Sequence, residues 1–223
     1  MIDAPSPNHD ERGVPVSMVV LHYTGMKTGA EALARLRDPA AKVSAHYMVE
    51  EDGRLYRLVP EERRAWHAGV AEWHGRRDVN AMSVGIEIVN PGHEFGYRDF
   101  PEVQMQTVLE LLRQIRRRYD VAPENVVGHS DVAPDRKDDP GERFPWDRLA
   151  REALALAPWD GRAPDDVPEA PEALRRLARL GYGVEAFGSG PCVTAFQRRF
   201  APTLLGEGLG RRTRAAIGAV TNR

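Results

Sequence analysis

Seven histidines and a cluster of loop carboxylates carry most of the chemistry available to this 223-residue chain. His22 closes the apolar run Val16-Ser-Met-Val-Val-Leu-His-Tyr23, just before Thr24-Gly25. His129 opens the polar stretch Gly128-His-Ser-Asp-Val-Ala-Pro-Asp-Arg-Lys-Asp-Asp-Pro-Gly141, which holds Asp131, Asp135, Asp138 and Asp139 with Lys137 among them. In α/β sheets, strand ends open into the crevice where ligands bind. Two imidazoles and one carboxylate are a standard ligand set for a catalytic Zn²⁺ that keeps one position open to water. Such an ion lowers the pKa of water toward ~7 and polarises a carbonyl, which makes hydrolysis feasible at neutral pH. The site then needs a carboxylate base beside the water and a cation or donor facing the developing oxyanion. Spacing alone does not choose the ligand among the four loop aspartates.

Glu87 is a candidate base. It sits in the otherwise apolar Val84-Gly-Ile-Glu-Ile-Val89, where a charge is costly without a partner or a task. Strand residues alternate between faces, so a solvent-facing Glu87 fits the same spacing equally well. Lys137 is one of three lysines against 28 arginines, and it reads either as a compact point charge in a site or as half of a loop salt bridge. Other catalytic signatures are absent from the sequence: no Gly-x-Ser-x-Gly elbow, no His-Glu-x-x-His helix and no phosphate-binding Walker loop. Cys192 lies far along the chain from the histidine-bearing segments and reads as a packed thiol.

The elements that must position these groups can be read from periodicity. Residues 1–14 are polar and read as an extended arm. Val16–Tyr23 reads as a strand, and Thr28–Arg37 as a helix stopped by Pro39. Ser44–Glu50 and Arg54–Val59 flank Glu51-Asp52-Gly53 as a hairpin. Ser83–Val89 is a further strand and Glu102–Tyr119 the longest helix, its last turns weighted with arginines that suit the negative end of the helix dipole. A short strand Asn125–Gly128 delivers His129, and Pro145–Ala157 reads as a closing helix. Pro158–Pro168 is proline-rich and aperiodic, a linker signature. Three short helical patterns follow: 172–180, 192–200 and 211–220. The expected organisation is an α/β catalytic domain with its arm over 1–157, a linker over 158–170 and a small three-helix domain over 171–223.

Composition narrows the function classes. Hydrophobic residues make up 42% and charged residues 29%, which suits a globular chain with a core. The net charge of −2 provides no basic field for nucleic acid or an anionic membrane, and a single cysteine rules out an internal disulfide. No apolar run is long enough to span a bilayer. Met1–Asp10 lacks the basic and apolar regions of a leader, so the sequence as it stands predicts a cytoplasmic protein, with a periplasmic one as the alternative if a leader has been removed.

Five motifs in order bring these features together. Val20-Leu-His-Tyr-Thr-Gly25, Val43-Ser-Ala-His-Tyr47, Ala65-Trp-His-Ala-Gly69, Asn80-Ala-Met-Ser-Val-Gly-Ile-Glu87 and Gly128–Gly141 closely resemble the zinc-dependent N-acetylmuramoyl-L-alanine amidases of the AmpD/AmiD type, nearest the AmiD branch. The likeness runs from Pro5 through Trp146. It implies a mixed central β-sheet flanked by helices, the fold also of peptidoglycan-recognition proteins, and one Zn²⁺ held by His22, His129 and Asp139. It places the catalytic glutamate on Glu87 and the family's lysine on Lys137. It further implies hydrolysis of the amide between N-acetylmuramic acid, 1,6-anhydro forms included, and L-alanine, with peptidoglycan fragments (muropeptides) as partners. His67, Trp66 and Asn80 fall in its motifs as candidates for lining the substrate groove, whereas His46 reads as structural.

Leu174–Tyr182, Thr194–Phe200 and Gly208–Ile217 resemble a small peptidoglycan-binding module. The turn before its second helix is shortened to Gly188-Ser-Gly-Pro-Cys192, which leaves packing against the catalytic part as the alternative to glycan binding. A non-catalytic muropeptide-binding protein on the same fold is the competing function. Such proteins lack part of the zinc set, and here all five residues are present.

Overall fold

A computed structural model describes residues 1–222; Arg223, the last residue of the expected C-terminal segment, lies outside the described residues. Among the described residues eight strands form, in chain order β1 (Ile2–Asp3), β2 (His9–Glu11), β3 (Met18–Tyr23), β4 (Tyr47–Val49), β5 (Leu55–Arg57), β6 (Arg63–Ala65), β7 (Ser83–Ile88) and β8 (Val126–Gly128). Six of them make one sheet in the order β1-β5-β4-β7-β3-β8, and β2 pairs with β6 apart from it. The four strands β4, β7, β3 and β8 run parallel, while β5 is antiparallel to β4. This is the mixed sheet with flanking helices that the sequence predicts.

β3 lies between β7 and β8 and is buried along Met18–His22, which is why it reads as an unbroken apolar run rather than an alternating one. Its two faces do different work. Val19 and Leu21, with Val84, Ile86 and Ile88 of β7, pack under the helix Glu102–Arg118 through Met105, Val108, Leu112 and Ile115. The opposite face carries Met18, Val20 and His22. Register pairs these with Ser83, Gly85 and Glu87 respectively, so a polar line crosses the centre of that face. Two apolar patches flank it. On one side Ala32 and Leu36 of the helix Gly29–Arg37 cover Ala45, Met48 and Leu58. On the other side the C-terminal helices take over.

The helices Ala170–Leu180, Ser189–Phe200 and Arg211–Thr221 contribute Ala173, Leu177, Phe196, Phe200 and Ile217, with Tyr182 from the turn after the first. These share one core with Met18, Val20, Trp73 and Val127. The apolar surface of the C-terminal segment is thus buried against the sheet, with the Cys192 thiol packed there. Residues 158–169 form neither helix nor strand.

Local departures from the sequence reading have physical causes. The closing helix covers only Trp146–Arg151, because Ala153 takes a left-handed φ of 53° and turns Leu154 and Ala155 into the core. The N-terminal arm is docked. Arg12 is buried and donates to the carbonyls of Glu61, Ala81, Ser83 and Arg63, tying the arm to the start of β7. Among the described residues no helix is long and apolar enough to cross a membrane.

Candidate functional site

His22 and Glu87 are register partners on adjacent parallel strands, so their side chains leave the sheet on the same face. The solvent-facing alternative for Glu87 is therefore excluded. β8 ends beside β3 and hands the chain to the one-turn helix His129–Val132, which starts with His129. The loop that follows returns Asp139 beneath the same point, where its carbonyl accepts the Ser130 N–H at 2.9 Å. His22, His129, Asp139, Glu87, Lys137, His67 and Trp66 all line one cleft of about 360 Å³. A larger cavity of about 700 Å³ lies around Trp159, Pro164 and Arg212 but contains no histidine or glutamate. Chemistry, rather than size, marks the site.

His22 Nδ1, His129 Nδ1 and Asp139 Oδ2 stand 2.9, 3.0 and 3.1 Å from one another, all three residues buried. Their partners assign the ring protons. Ser83 Oγ donates to the Val79 carbonyl at 2.5 Å, so it accepts from His67 Nε2–H at 3.1 Å. His67 Nδ1 is then bare and accepts from His22 Nε2–H at 3.1 Å, which leaves His22 Nδ1 unprotonated. His129 Nε2–H donates to the Ala68 carbonyl at 3.1 Å, which likewise leaves its Nδ1 bare. Three lone pairs therefore face one another with no proton among them, an arrangement that a cation resolves. Tetrahedral zinc with bonds of about 2.0–2.2 Å holds neighbouring donors roughly 3.3–3.6 Å apart, so a modest outward shift of this triangle accommodates the ion. The donor set and its geometry fit a zinc ion.

The electrostatics agree. Burial, reinforced by the neighbouring His129, pushes His22 down to about 4 against the opposing pull of Asp139, so the ring is neutral at physiological pH. Burial resists ionisation of Asp139, but the His129 and His22 imidazoles, when they carry a proton toward it, outweigh burial and bring the carboxyl well below its usual range. Glu87 is the reverse case. Burial, with the charge of Asp139 beside it, raises its pKa well above the usual carboxylate value, opposed by Lys137. Its Oε2 is buried without any hydrogen-bond partner. The Lys137 side chain is half-buried and makes no ion pair among the described residues.

The groove candidates separate. Trp66 is half-buried on the cleft wall. His67 is only 8% exposed, with both ring nitrogens engaged inside the protein, and it lies over Gly85, where any Cβ would overlap the ring. Asn80 does not line the cleft. It is buried, and its Oδ1 accepts the N–H groups of His67 and Ala68 at 3.1 and 2.8 Å, fixing the segment whose His67 ring and Ala68 carbonyl meet His22 and His129. His46 is buried away from the cleft and accepts the Gly85 N–H at 2.9 Å. Sequence reasoning missed Ser83, the Ala68 carbonyl and Arg136, whose guanidinium clamps the Ala68 and Val70 carbonyls.

The family described as N-acetylmuramoyl-L-alanine amidase matches residues 12–142, more than half of the chain. The chain belongs to this amidase family. Among curated relatives, Escherichia coli N-acetylmuramoyl-L-alanine amidase AmiD is 35% identical over 92% of this chain and 82% of its own length. Escherichia coli 1,6-anhydro-N-acetylmuramyl-L-alanine amidase AmpD is 40% identical over 48% of this chain and 57% of its own. The solved complex of E. coli AmiD with anhydro-N-acetylmuramic acid-L-Ala-D-γ-Glu-L-Lys superposes with a TM-score of 0.80, covering 98% of this chain and 91% of that one at 34% identity. AmpDh3 of Pseudomonas aeruginosa gives 0.82 over 97% and 94% at 32% identity. The likeness to AmiD and AmpDh3 extends through the C-terminal helices as well as the amidase region.

Proposed function

We propose that His22, His129 and Asp139 hold one zinc ion, and that the cleft hydrolyses the amide between N-acetylmuramic acid, 1,6-anhydro forms included, and the L-alanine of the stem peptide. The observation that carries this reading is the triangle of unprotonated donors with Glu87 in register beside it. When bound, zinc would supply a Lewis acid that makes water a better nucleophile and polarises the amide carbonyl. Glu87 takes the proton from the attacking water, a role suited to a carboxyl whose burial raises its proton affinity and whose Oε2 has no other partner. Its protonated form then passes that proton to the departing alanine nitrogen. Lys137, without an ion pair among the described residues, offers its ammonium to the oxygen on which negative charge develops. Trp66 presents an aromatic wall to the substrate.

The test is release of stem peptide from a purified 1,6-anhydromuropeptide, followed by mass spectrometry. Glu87→Gln keeps one zinc per chain and loses about 10²–10⁴ in turnover; His129→Ala loses both metal and turnover. A Glu87→Gln enzyme near the parent rate removes the base assignment. Blotting of fractionated native cells decides the substrate pool: a cytoplasmic signal points to soluble muropeptides, and a periplasmic signal moves the substrate to the sacculus.

A further inference from the structure

His129 and Asp139 sit on a loop closed by the Ser130 N–H donating to the Asp139 carbonyl, and residues far along the chain also hold it. Asp131, two residues after His129, is 0% exposed. A buried carboxylate is stable only when paired and hydrogen-bonded. Its Oδ2 accepts the Gly128 N–H at 2.7 Å, which fixes the first turn that carries His129. Its side-chain partners both come from the C-terminal segment: Tyr182 donates its hydroxyl to Oδ1 at 2.5 Å, and Arg199 Nη1 donates to Oδ2 at 2.8 Å. Burial and the adjacent Asp131 keep the Tyr182 phenol protonated and therefore able to donate. Arg199 also donates from Nη2 to the Val126 carbonyl at 2.8 Å, so one guanidinium brackets His129 from the strand before it and the helix turn after it. The same guanidinium lies 4.3 Å over the Trp146 ring, which locks its orientation. The neighbouring Arg198 pairs with Asp138 at 2.6 Å, next to Asp139 in sequence.

We infer that the C-terminal helices are a brace for the metal-binding loop, with Tyr182, Arg199 and Arg198 as positioning residues for His129 and Asp139. The inference rests on the zinc reading above. It gives the C-terminal segment a task inside the catalytic centre, independent of any glycan it binds. Arg199 and Tyr182 act through Asp131 and the Gly128 N–H on the orientation of His129. Arg198 acts through Asp138 on Asp139. None of the three faces the cleft.

Zinc affinity of the full-length protein, measured by competition with a chromophoric chelator, separates a brace from simple stabilisation. Thermal unfolding of each variant identifies a temperature at which all are folded. Tyr182→Phe removes one hydroxyl and weakens zinc binding on the order of tenfold, as loss of a group behind a metal ligand does. Arg198→Ala weakens it by up to about fivefold, because Asp138 is half exposed and such pairs are modest, while Arg198→Lys restores it. Arg212→Ala, which removes only an exposed pair with Glu207, leaves affinity unchanged. Variants that melt earlier yet bind zinc as tightly as the parent overturn the brace while leaving the zinc reading intact. A parent protein that binds no zinc ends both.

Discussion

Replacing His67 by leucine isolates the hydrogen-bond chain that keeps a proton out of the metal site. In the native chain His22 Nε2–H has one partner, His67 Nδ1 at 3.1 Å, and His67 in turn is pinned by Ser83. Leucine leaves that buried N–H unsatisfied, at a cost of about 1–3 kcal/mol. His22 can escape the cost by moving its proton to Nδ1, where Asp139 Oδ2 at 3.0 Å accepts it. That tautomer blocks metal, and zinc has to displace the proton and restore the unsatisfied N–H. The same free energy therefore reappears as lost affinity, about 10- to 100-fold, or roughly 1.4–2.7 kcal/mol. His67→Asn keeps an oxygen acceptor near the position of Nδ1 and recovers most of the loss. Chelator competition gives the affinities, and ¹⁵N chemical shifts of the metal-free protein report which His22 nitrogen carries the proton. Unchanged zinc affinity in His67→Leu with a raised KM for muropeptide would refute the reasoning and return His67 to the substrate groove.

Three further outcomes follow from the same geometry. Lys137→Ala lowers kcat by about 10²–10³ with KM and zinc content little changed, as removal of a charge that meets only the developing oxyanion requires; equal effects on ground-state binding in steady-state kinetics contradict that role. Asn80→Ala strips the acceptor from the His67 and Ala68 amides and costs about 1–3 kcal/mol in urea unfolding, whereas a change confined to KM would make Asn80 a substrate contact. In the metal-free protein, burial holds His22 at about 4, and burial with the nearby Arg12 charge holds His46 at about 3; burial also depresses His67. The unfolded chain takes up these protons near pH 6.5 and the folded one does not, so stability is full above that pH and falls as pH drops toward 3–4, by up to about 1.4 kcal/mol per pH unit for each histidine. A urea midpoint that stays flat between pH 7.5 and 5 is inconsistent with three buried neutral rings.

Local pattern carried much of the architecture. The runs that carry His22 and Glu87 read as strands because their apolar residues are buried on both faces, and the helix Glu102–Arg118 shows its stripe plainly. β1, β2 and β6 are two or three residues long, too short for any alternation to register. Residue types pointed to two histidines and a carboxylate, but only the family resemblance singled out Asp139, since nothing periodic specifies how the loop folds back under His22. The face of Glu87 was open until the β3–β7 register settled it. His67 and Asn80 sit in recognisable motifs, yet their hydrogen bonds turn inward, a distinction that resides in three-dimensional partners such as Ser83 and Ala68. The Asp131–Arg199 pair joins residues 68 apart in sequence, beyond the reach of any local signal.

The central claim is a single zinc ion shared by His22 Nδ1, His129 Nδ1 and Asp139 Oδ2. Anomalous diffraction at the zinc edge from crystals grown with zinc tests it most directly. The account predicts one strong peak per chain, about 2.0–2.2 Å from each of the three atoms. No peak among them in zinc-saturated protein that still cleaves muropeptide, or a peak held by other residues, contradicts it.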